Sequence, residues 1–291
     1  MKHTMSIGFI GLGLMGNLMA KNIHSAGFPL SVYNRSSGKA DEFKKLGVRV
    51  VSSPKELVEH CDVIITMVTA ARDVEDVVFG QHGVITANGK TRVLIDMSTI
   101  GPTAACAIGK KLERYGLEFL DAPVTGGTYG AQTGELTIFV GGSRETYDRL
   151  RAVFESMGNN LHYMGGVGSG QAIKMINNFL IASSLVSLSE GMILADAMGL
   201  SRKSLADALS TTPAVSLAMT RKIQNYVTGQ YPLNFTIKNM RKDLSLASQE
   251  KNTDSDFSLL SLVESAYIRA DEQGLSDYDY SQIIDAIKTR T

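Results

Sequence analysis

The chain has 291 residues, 44 % of them hydrophobic, which is core material enough for two domains of ordinary size. Its 29 lysines and arginines balance 29 aspartates and glutamates, so the formal net charge is zero. No basic excess marks it for nucleic acid or an anionic membrane, and any anion it handles has to be bound by local design.

The first residues run straight into a strand-like Ser6–Ile10, with no apolar stretch and cleavage site of a signal peptide. Short apolar runs then alternate with helical patterns. Strands are predicted at Ile7–Ile10, Leu30–Tyr33, Val48–Val51, Val63–Met67, Val93–Asp96, Glu118–Leu120 and Leu136–Val140, with helices such as Leu14–Ala26 and Thr103–Tyr115 between them. That rhythm predicts an α/β fold of repeated βαβ units, its sheet largely parallel and covered by helices on both faces. It stops near Gly165. The glycine-rich stretch Gly165–Gly170 is the expected boundary, giving an α/β domain over 1–165 and an all-α domain over 166–291. Helices are predicted at Gln171–Met198, Leu200–Leu209, Val215–Tyr226, Ile237–Lys251 and Leu259–Glu272.

No stretch approaches the ~20 unbroken apolar residues of a membrane span, so no membrane partner is expected. Cys61 and Cys106 are too few for a disulfide framework and are expected as buried spectators in a reducing, cytoplasmic setting. The five histidines (His3, His24, His60, His82 and His162) are scattered without helix-ligand spacing, and no metal site is expected.

Gly11-Leu12-Gly13-Leu14-Met15-Gly16 follows the first strand and opens a helical pattern. In that context G-x-G-x-x-G is a dinucleotide fingerprint. The first glycine permits a tight turn, the second lets backbone approach the pyrophosphate, and the third lets helix pack on strand. The phosphates then meet the positive end of the helix. About 20 residues on, NAD enzymes carry an acid for the ribose hydroxyls. Here that place reads Asn34-Arg35-Ser36: no carboxylate repels a 2′-phosphate, and Arg35 can clamp it with Asn34 and Ser36 as donors. NADP is therefore expected as the cofactor, with NAD possible. A solvated loop arginine is the plainer reading of Arg35.

Thr125-Gly126-Gly127 combines a hydroxyl with exposed backbone N–H groups and reads as an anion cradle for a carboxylate, or simply as a glycine turn. Ser98-Thr99 follows the fifth strand, at the edge where open α/β sheets bind ligands, and could equally cap the next helix. Lys174 lies on a mainly apolar helix, with Asn178 one turn further on the same face. A lone helical lysine is usually a snorkelling surface residue. A desolvated one suits general acid–base work.

Four motifs, in this order, resemble the β-hydroxyacid dehydrogenase family: Gly11–Gly16 continuing into Asn17-Leu18-Met19-Ala20; Asp96-Met97-Ser98-Thr99-Ile100; Asp121-Ala122-Pro123-Val124-Thr125-Gly126-Gly127; and Gly168–Asn178. A fifth, Lys242-Asp243-Leu244-Ser245-Leu246-Ala247, lies near the C-terminus. The resemblance implies a Rossmann-type domain, an all-helical domain and an active site in the cleft between them. It implies that Lys174 is the catalytic lysine and Asn178 its partner. It further implies that Thr99, Val68, Thr69 and Lys242 touch the cofactor, and that Ser98, Thr125, Gly126, Gly127, Phe235 and Asp243 form the substrate pocket. Thr125 stands where the family usually has serine, and Val68-Thr69 where it often has Leu-Pro. The spacing from Phe235 to Asp243 and the tail Gly274–Tyr280 are similar to the glyoxylate/succinic semialdehyde reductase branch. The expected activity is NADP(H)-dependent interconversion of a small carboxylate-bearing β-hydroxyacid and its semialdehyde, by a homo-dimer or homo-tetramer. Three alternatives keep the fold: NAD-dependent oxidation of 3-hydroxyisobutyrate, a non-catalytic nucleotide-binding protein, and imine reduction, whose enzymes usually lack the lysine.

Overall fold

The structure is a computed structural model that describes residues 4–250 and 256–288. His3 and Lys251, the expected end of one helix, lie outside the described residues. The chain divides into two compact units, Met1–Lys174 and Met175–Thr291.

The first unit alternates strand and helix: β1 (Ile7–Ile10), α1 (Leu14–Ser25), β2 (Leu30–Tyr33), α2 (Asp41–Lys45), β3 (Arg49–Val50), α3 (Pro54–His60), β4 (Val63–Thr66), α4 (Ala71–Phe79), β5 (Val93–Asp96), α5 (Pro102–Glu113), β6 (Glu118–Asp121), β7 (Val124–Thr125), α6 (Gly127–Thr133), β8 (Leu136–Gly142), α7 (Arg144–Arg149), α8 (Arg151–Glu155) and β9 (Gly158–Gly165). They form one sheet in the order β3-β2-β1-β4-β5-β6-β8-β7, with β9 also paired to β8. β1 to β6 are mutually parallel; β8 is antiparallel to β6 and β7 and parallel to β9.

Every residue of β1, β4 and β5 is buried. Successive side chains of a strand point to opposite faces, so a strand covered on both sides has to be apolar throughout. Phe9, Ile65 and Ile95 enter a core with Met19 and Ile23 of α1. Ile10, Ile64 and Leu94 enter the opposite one with Val74 and Val78 of α4 and Ile108 of α5. Ile10 pairs with Tyr33 and Thr66, Thr66 with Asp96, and Asp96 with Asp121. In this register, the residues that follow β1, β2, β4, β5 and β6 all emerge at one edge of the sheet.

Two strands, β7 and β9, were not expected from sequence. Cys61 is buried, and burial pushes its thiol up to about 11. Cys106 corrects the expectation of two buried cysteines: it is exposed. The buried stripe of α5 is Ala105, Ile108, Gly109 and Leu112, and Cys106 falls off it.

The helix α9 (Ser169–Ala197) begins in the first unit and continues into the second, where α10 (Arg202–Leu209), α11 (Leu217–Thr228), α12 (Ile237–Gln249), α13 (Ser258–Ala270) and α14 (Ile283–Lys288) follow. By length and composition alone α9 is apolar enough to cross a membrane, which the sequence had not suggested. Its Ala182 and Leu185 instead pack with Ile237, Met240 and Leu244 of α12 and Val263 and Tyr267 of α13. Leu188 and Met192 pack with Ile223 and Tyr226 of α11.

One ion pair is fully inside this helical unit. Lys222 Nζ stands 2.9 Å from Asp279 Oδ1, with side chains 8 % and 0 % exposed. The other Asp279 oxygen accepts from the backbone N–H of Asn234 at 2.8 Å. Removing one member of a buried pair strands the other charge and costs about 3–5 kcal/mol. Lys222→Met is therefore expected to lower the unfolding free energy by that amount, read as a shift of the urea midpoint to lower concentration. An unchanged midpoint would mean that backbone N–H groups alone satisfy Asp279.

Candidate active site

Gly11 follows β1 with φ of 100°, and its N–H donates to the Tyr33 carbonyl at 2.9 Å. A Cβ on Gly11 would collide with the Met67 carbonyl oxygen, and one on Gly16 with the Gly11 carbonyl oxygen. Around Gly13 there is open space instead. Two glycines thus close the loop and one leaves room beside it, as a dinucleotide pyrophosphate requires. The N-terminus of α1 has no side-chain cap and no acid in its first turn, so its free N–H groups and positive dipole end are uncompensated. These residues fit a nicotinamide dinucleotide.

Leu12 and Asn34 meet across the same edge: the Leu12 N–H donates to Asn34 Oδ1 at 2.8 Å, and Asn34 Nδ2 donates to the Ser36 carbonyl at 2.9 Å. Asn34 therefore ties the glycine loop to the end of β2. Arg35 beside it is 86 % exposed, 3.7 Å from Asp73 Oδ1. So exposed a pair is worth about 0–1 kcal/mol, which leaves the guanidinium free to exchange Asp73 for a phosphate.

Thr69 is exposed and Val68 half-buried after β4. After β5, Thr99 is half-buried, whereas Ser98 is 1 % exposed. The Ser98 hydroxyl donates to Asp96 Oδ1 at 2.7 Å and accepts from the Val68 N–H at 2.9 Å. It thereby bonds the β4 and β5 loops to each other. Thr125, Gly126 and Gly127 turn from β7 into α6, with φ of 130° at Gly126 and 63° at Gly127, a backbone path that side chains other than glycine's resist.

Lys174 is 6 % exposed, in the second turn of α9. That helix start is bonded to the sheet edge. Asp121 Oδ1 accepts from the Gly168 N–H at 2.7 Å, and Oδ2 from the Gln171 N–H at 2.8 Å. Burial, with the neighbouring Asp96 charge adding, raises the Asp121 carboxyl to about 6 against the pull of those two N–H groups. At neutral pH it is still an anion.

In the helical unit, Asn178 is 3 % and Asp243 1 % exposed. Asn178 Nδ2 donates to Asp243 Oδ2 at 2.6 Å, Asn177 Nδ2 donates to Asn178 Oδ1 at 3.1 Å, and Lys242 Nζ lies 2.9 Å from Asp243 Oδ1. The structure thus joins Asn178, Lys242 and Asp243, with Asp243 holding the Asn178 amide. Phe235 sits before α12, edge-on to Tyr280 at 5.9 Å between ring centroids. Asp121 and Gln171 carried no role of their own in the sequence. The available signal was a carboxylate closing an apolar strand, since an acid there needs partners once buried.

The family model for the NAD-binding domain of 6-phosphogluconate dehydrogenase matches residues 6–165, and that for the NAD-binding domain of NADP-dependent 3-hydroxyisobutyrate dehydrogenase matches residues 168–287. Mouse (Mus musculus) mitochondrial 3-hydroxyisobutyrate dehydrogenase is 36 % identical over 97 % of this chain and 87 % of its own length. Chloroplastic glyoxylate/succinic semialdehyde reductase 2 of Arabidopsis thaliana is 31 % identical over 98 % of this chain and 80 % of its own. The solved 3-hydroxyisobutyrate dehydrogenase of Mycobacterium tuberculosis with L-serine superposes with a TM-score of 0.89 at 30 % identity, covering 99 % of this chain and all of that one. With the fingerprint at one sheet edge and both family models spanning nearly the whole length, this chain belongs to the β-hydroxyacid dehydrogenase family and is an NAD(P)-dependent oxidoreductase acting on CH–OH groups.

Proposed function

We propose that the chain is an NADP(H)-dependent reductase of small aldehyde-acids of the glyoxylate or succinic semialdehyde type, with Lys174 as its general acid and base. The observation that carries this reading is a lysine nine-tenths buried on a helix whose first turn is bonded to the dinucleotide edge of the sheet. The bound cofactor supplies the hydride. The chain's own task is the proton and the orientation. Lys174 Nζ gives a proton to the carbonyl oxygen as it becomes a hydroxyl, and takes it back in the oxidative direction. Asn178, one turn along the same helix, has its amide fixed by Asp243 and offers a hydrogen bond to that oxygen or to the substrate carboxylate. The backbone of Gly126 and Gly127 with the Thr125 hydroxyl receives the carboxylate, and Phe235 bounds the pocket. Gly11 to Gly16, Val68, Thr69, Thr99 and Lys242 hold the cofactor, with Arg35 and Ser36 at its 2′-phosphate.

A second reading, NAD-dependent oxidation of 3-hydroxyisobutyrate, is favoured by the higher identity to the mouse dehydrogenase. Rates for short semialdehydes and hydroxyacids with both cofactors separate the two. We further propose a homo-dimer or homo-tetramer, because Ile176, Leu180, Leu194 and Met198 leave apolar surface outward on α9 and just beyond it. A cytoplasmic, reducing setting is in keeping with the free thiols of Cys61 and Cys106.

Lys174→Ala is expected to bind cofactor normally and to lose ~10²–10⁴-fold in kcat, the usual contribution of one general acid–base group. Retention of a tenth of the wild-type kcat removes the assignment. Arg35→Ala is expected to raise KM for NADPH by ~10–100-fold, the equivalent of one charge-assisted contact, and to leave NADH nearly unaffected. Equal losses for the two cofactors would sink the NADP preference. Thr125→Val keeps the shape and deletes the donor, so kcat/KM for the aldehyde-acid should fall ~5–100-fold, while Thr125→Ser stays mild. If Thr125→Val matches wild type, the hydroxyl is packing and not recognition.

A further inference from the structure

Lys174 is useful only if its ammonium stands where the reacting oxygen will be. A helix start is ordinarily the loosest part of a helix, because its first four N–H groups have no partner within it. In α9 that start is bonded from two directions. From β6, the buried Asp121 carboxylate takes the N–H groups of Gly168 and Gln171, one on each oxygen. From the β5 loop, the fully buried Gln171 amide closes three more bonds. Its Oε1 accepts from the N–H groups of Ile100 at 2.9 Å and Gly101 at 3.2 Å, and its Nε2 donates to the Ser98 carbonyl at 2.8 Å.

The packing is built around this joint. A Cβ on Gly170 would collide with the Phe139 and Asp121 carbonyl oxygens, and one on Gly141 would fall 2.5 Å from Asp121 Oδ1. The same bonds continue outward. Ser98, whose carbonyl Gln171 holds, also bonds Asp96 and the Val68 N–H, and Asp96 accepts from Thr66 Oγ1 at 2.7 Å. A buried chain of hydrogen bonds therefore runs from the end of β4 through the loop after β5 to the residue three before Lys174.

We infer that Asp121 and Gln171 are positioning residues for Lys174: the β6 carboxylate and the α9 amide together fix the first turn of α9 to the loops that flank the cofactor. The inference rests on the reading of Lys174 as the general acid and base. Raising the Asp121 carboxyl to about 6 is the mark of a group held in place against its own hydration. In its anionic form it serves both N–H groups. An asparagine in its place turns an N–H donor toward one of them.

The test uses the full-length enzyme with Gln171→Met, which removes all three side-chain bonds at similar size, Gln171→Glu, which keeps both acceptor bonds, and Asp121→Asn. Cofactor Kd is measured by fluorescence titration, kcat per cofactor-binding site, and the solvent deuterium isotope effect on kcat. A catalytic group displaced by about 1 Å can lose ~10²-fold. Gln171→Met and Asp121→Asn are expected to lose ~10–100-fold in kcat per site with Kd within about twofold, and Gln171→Glu less. The solvent isotope effect should rise, because proton transfer from a misplaced Lys174 becomes the slow step. In a Lys174→Ala background, Gln171→Met should add no more than about twofold, since effects that act through one group are not additive.

Wild-type kcat per site in both Gln171→Met and Asp121→Asn overturns the proposal. So does an unchanged isotope effect alongside a reduced kcat, or a full additive loss in the Lys174→Ala background, either of which marks a general structural role. Should Gln171→Met fail to fold, Asp121→Asn and Gln171→Glu carry the same comparison. A Lys174→Ala enzyme as active as wild type would instead overturn the Lys174 reading itself, a separate outcome.

Discussion

Strands that run the same way must all turn back at the same edge. Once β1, β2, β4, β5 and β6 pair in parallel with Ile10, Tyr33, Thr66, Asp96 and Asp121 as their last paired residues, the residues after them have no choice but to gather. The glycine loop, Asn34, Val68, Ser98 and the Asp121 carboxylate are neighbours for that reason. Their chemistry then follows from burial. Where polar groups at this edge are buried they bond one another, as Ser98 does with Asp96 and Val68, and half-buried Asn34 likewise takes the Leu12 N–H.

That edge was only partly legible in the sequence. The strands that form its centre were, because burial on two faces forces an unbroken apolar run, and Ile7–Ile10, Leu30–Tyr33 and Val93–Asp96 begin and end where expected. β9 was not. Gly158–Gly165 reads Gly-Asn-Asn-Leu-His-Tyr-Met-Gly, largely exposed or half-buried, with only Leu161 and Tyr163 as an apolar alternation, too short to mark a strand before its pairing to β8 is known. β7 is two residues long, too short to leave any pattern. The α9 start falls at the expected domain boundary because five of the six residues from Gly165 to Gly170 are glycine or serine. In the structure that small-residue run is where backbone comes close enough for Asp121 to reach it, and it belongs with the sheet.

Side-chain roles were harder still, because one residue type serves two tasks. Asn34, Ser98 and Asp243 were each taken from motifs as ligand contacts. The structure gives the Asn34 amide two backbone partners, the Ser98 hydroxyl the Asp96 carboxylate and the Val68 N–H, and Asp243 the side chains of Asn178 and Lys242. Arg35 is the opposite case: 86 % exposed, it reaches Asp73 across 3.7 Å at the surface.

Asp121 shows what such shaping demands. Its carboxyl is raised from the ordinary 3.8 to about 6, so the folded chain holds that proton more tightly than the unfolded chain does. Above pH 6 the ionised group therefore subtracts stability, about 3 kcal/mol at neutral pH, and that loss is recovered as the pH falls from about 6 toward 3.8. For a domain whose net stability is about 5–15 kcal/mol this is a substantial penalty. An apolar residue closing β6 would avoid it and leave the N–H groups of Gly168 and Gln171 without acceptors. A neutral amide would serve one of them and oppose the other. Only the anion satisfies both donors at the start of the helix that carries Lys174, so stability given up at Asp121 is the physical condition for a fixed lysine one turn later.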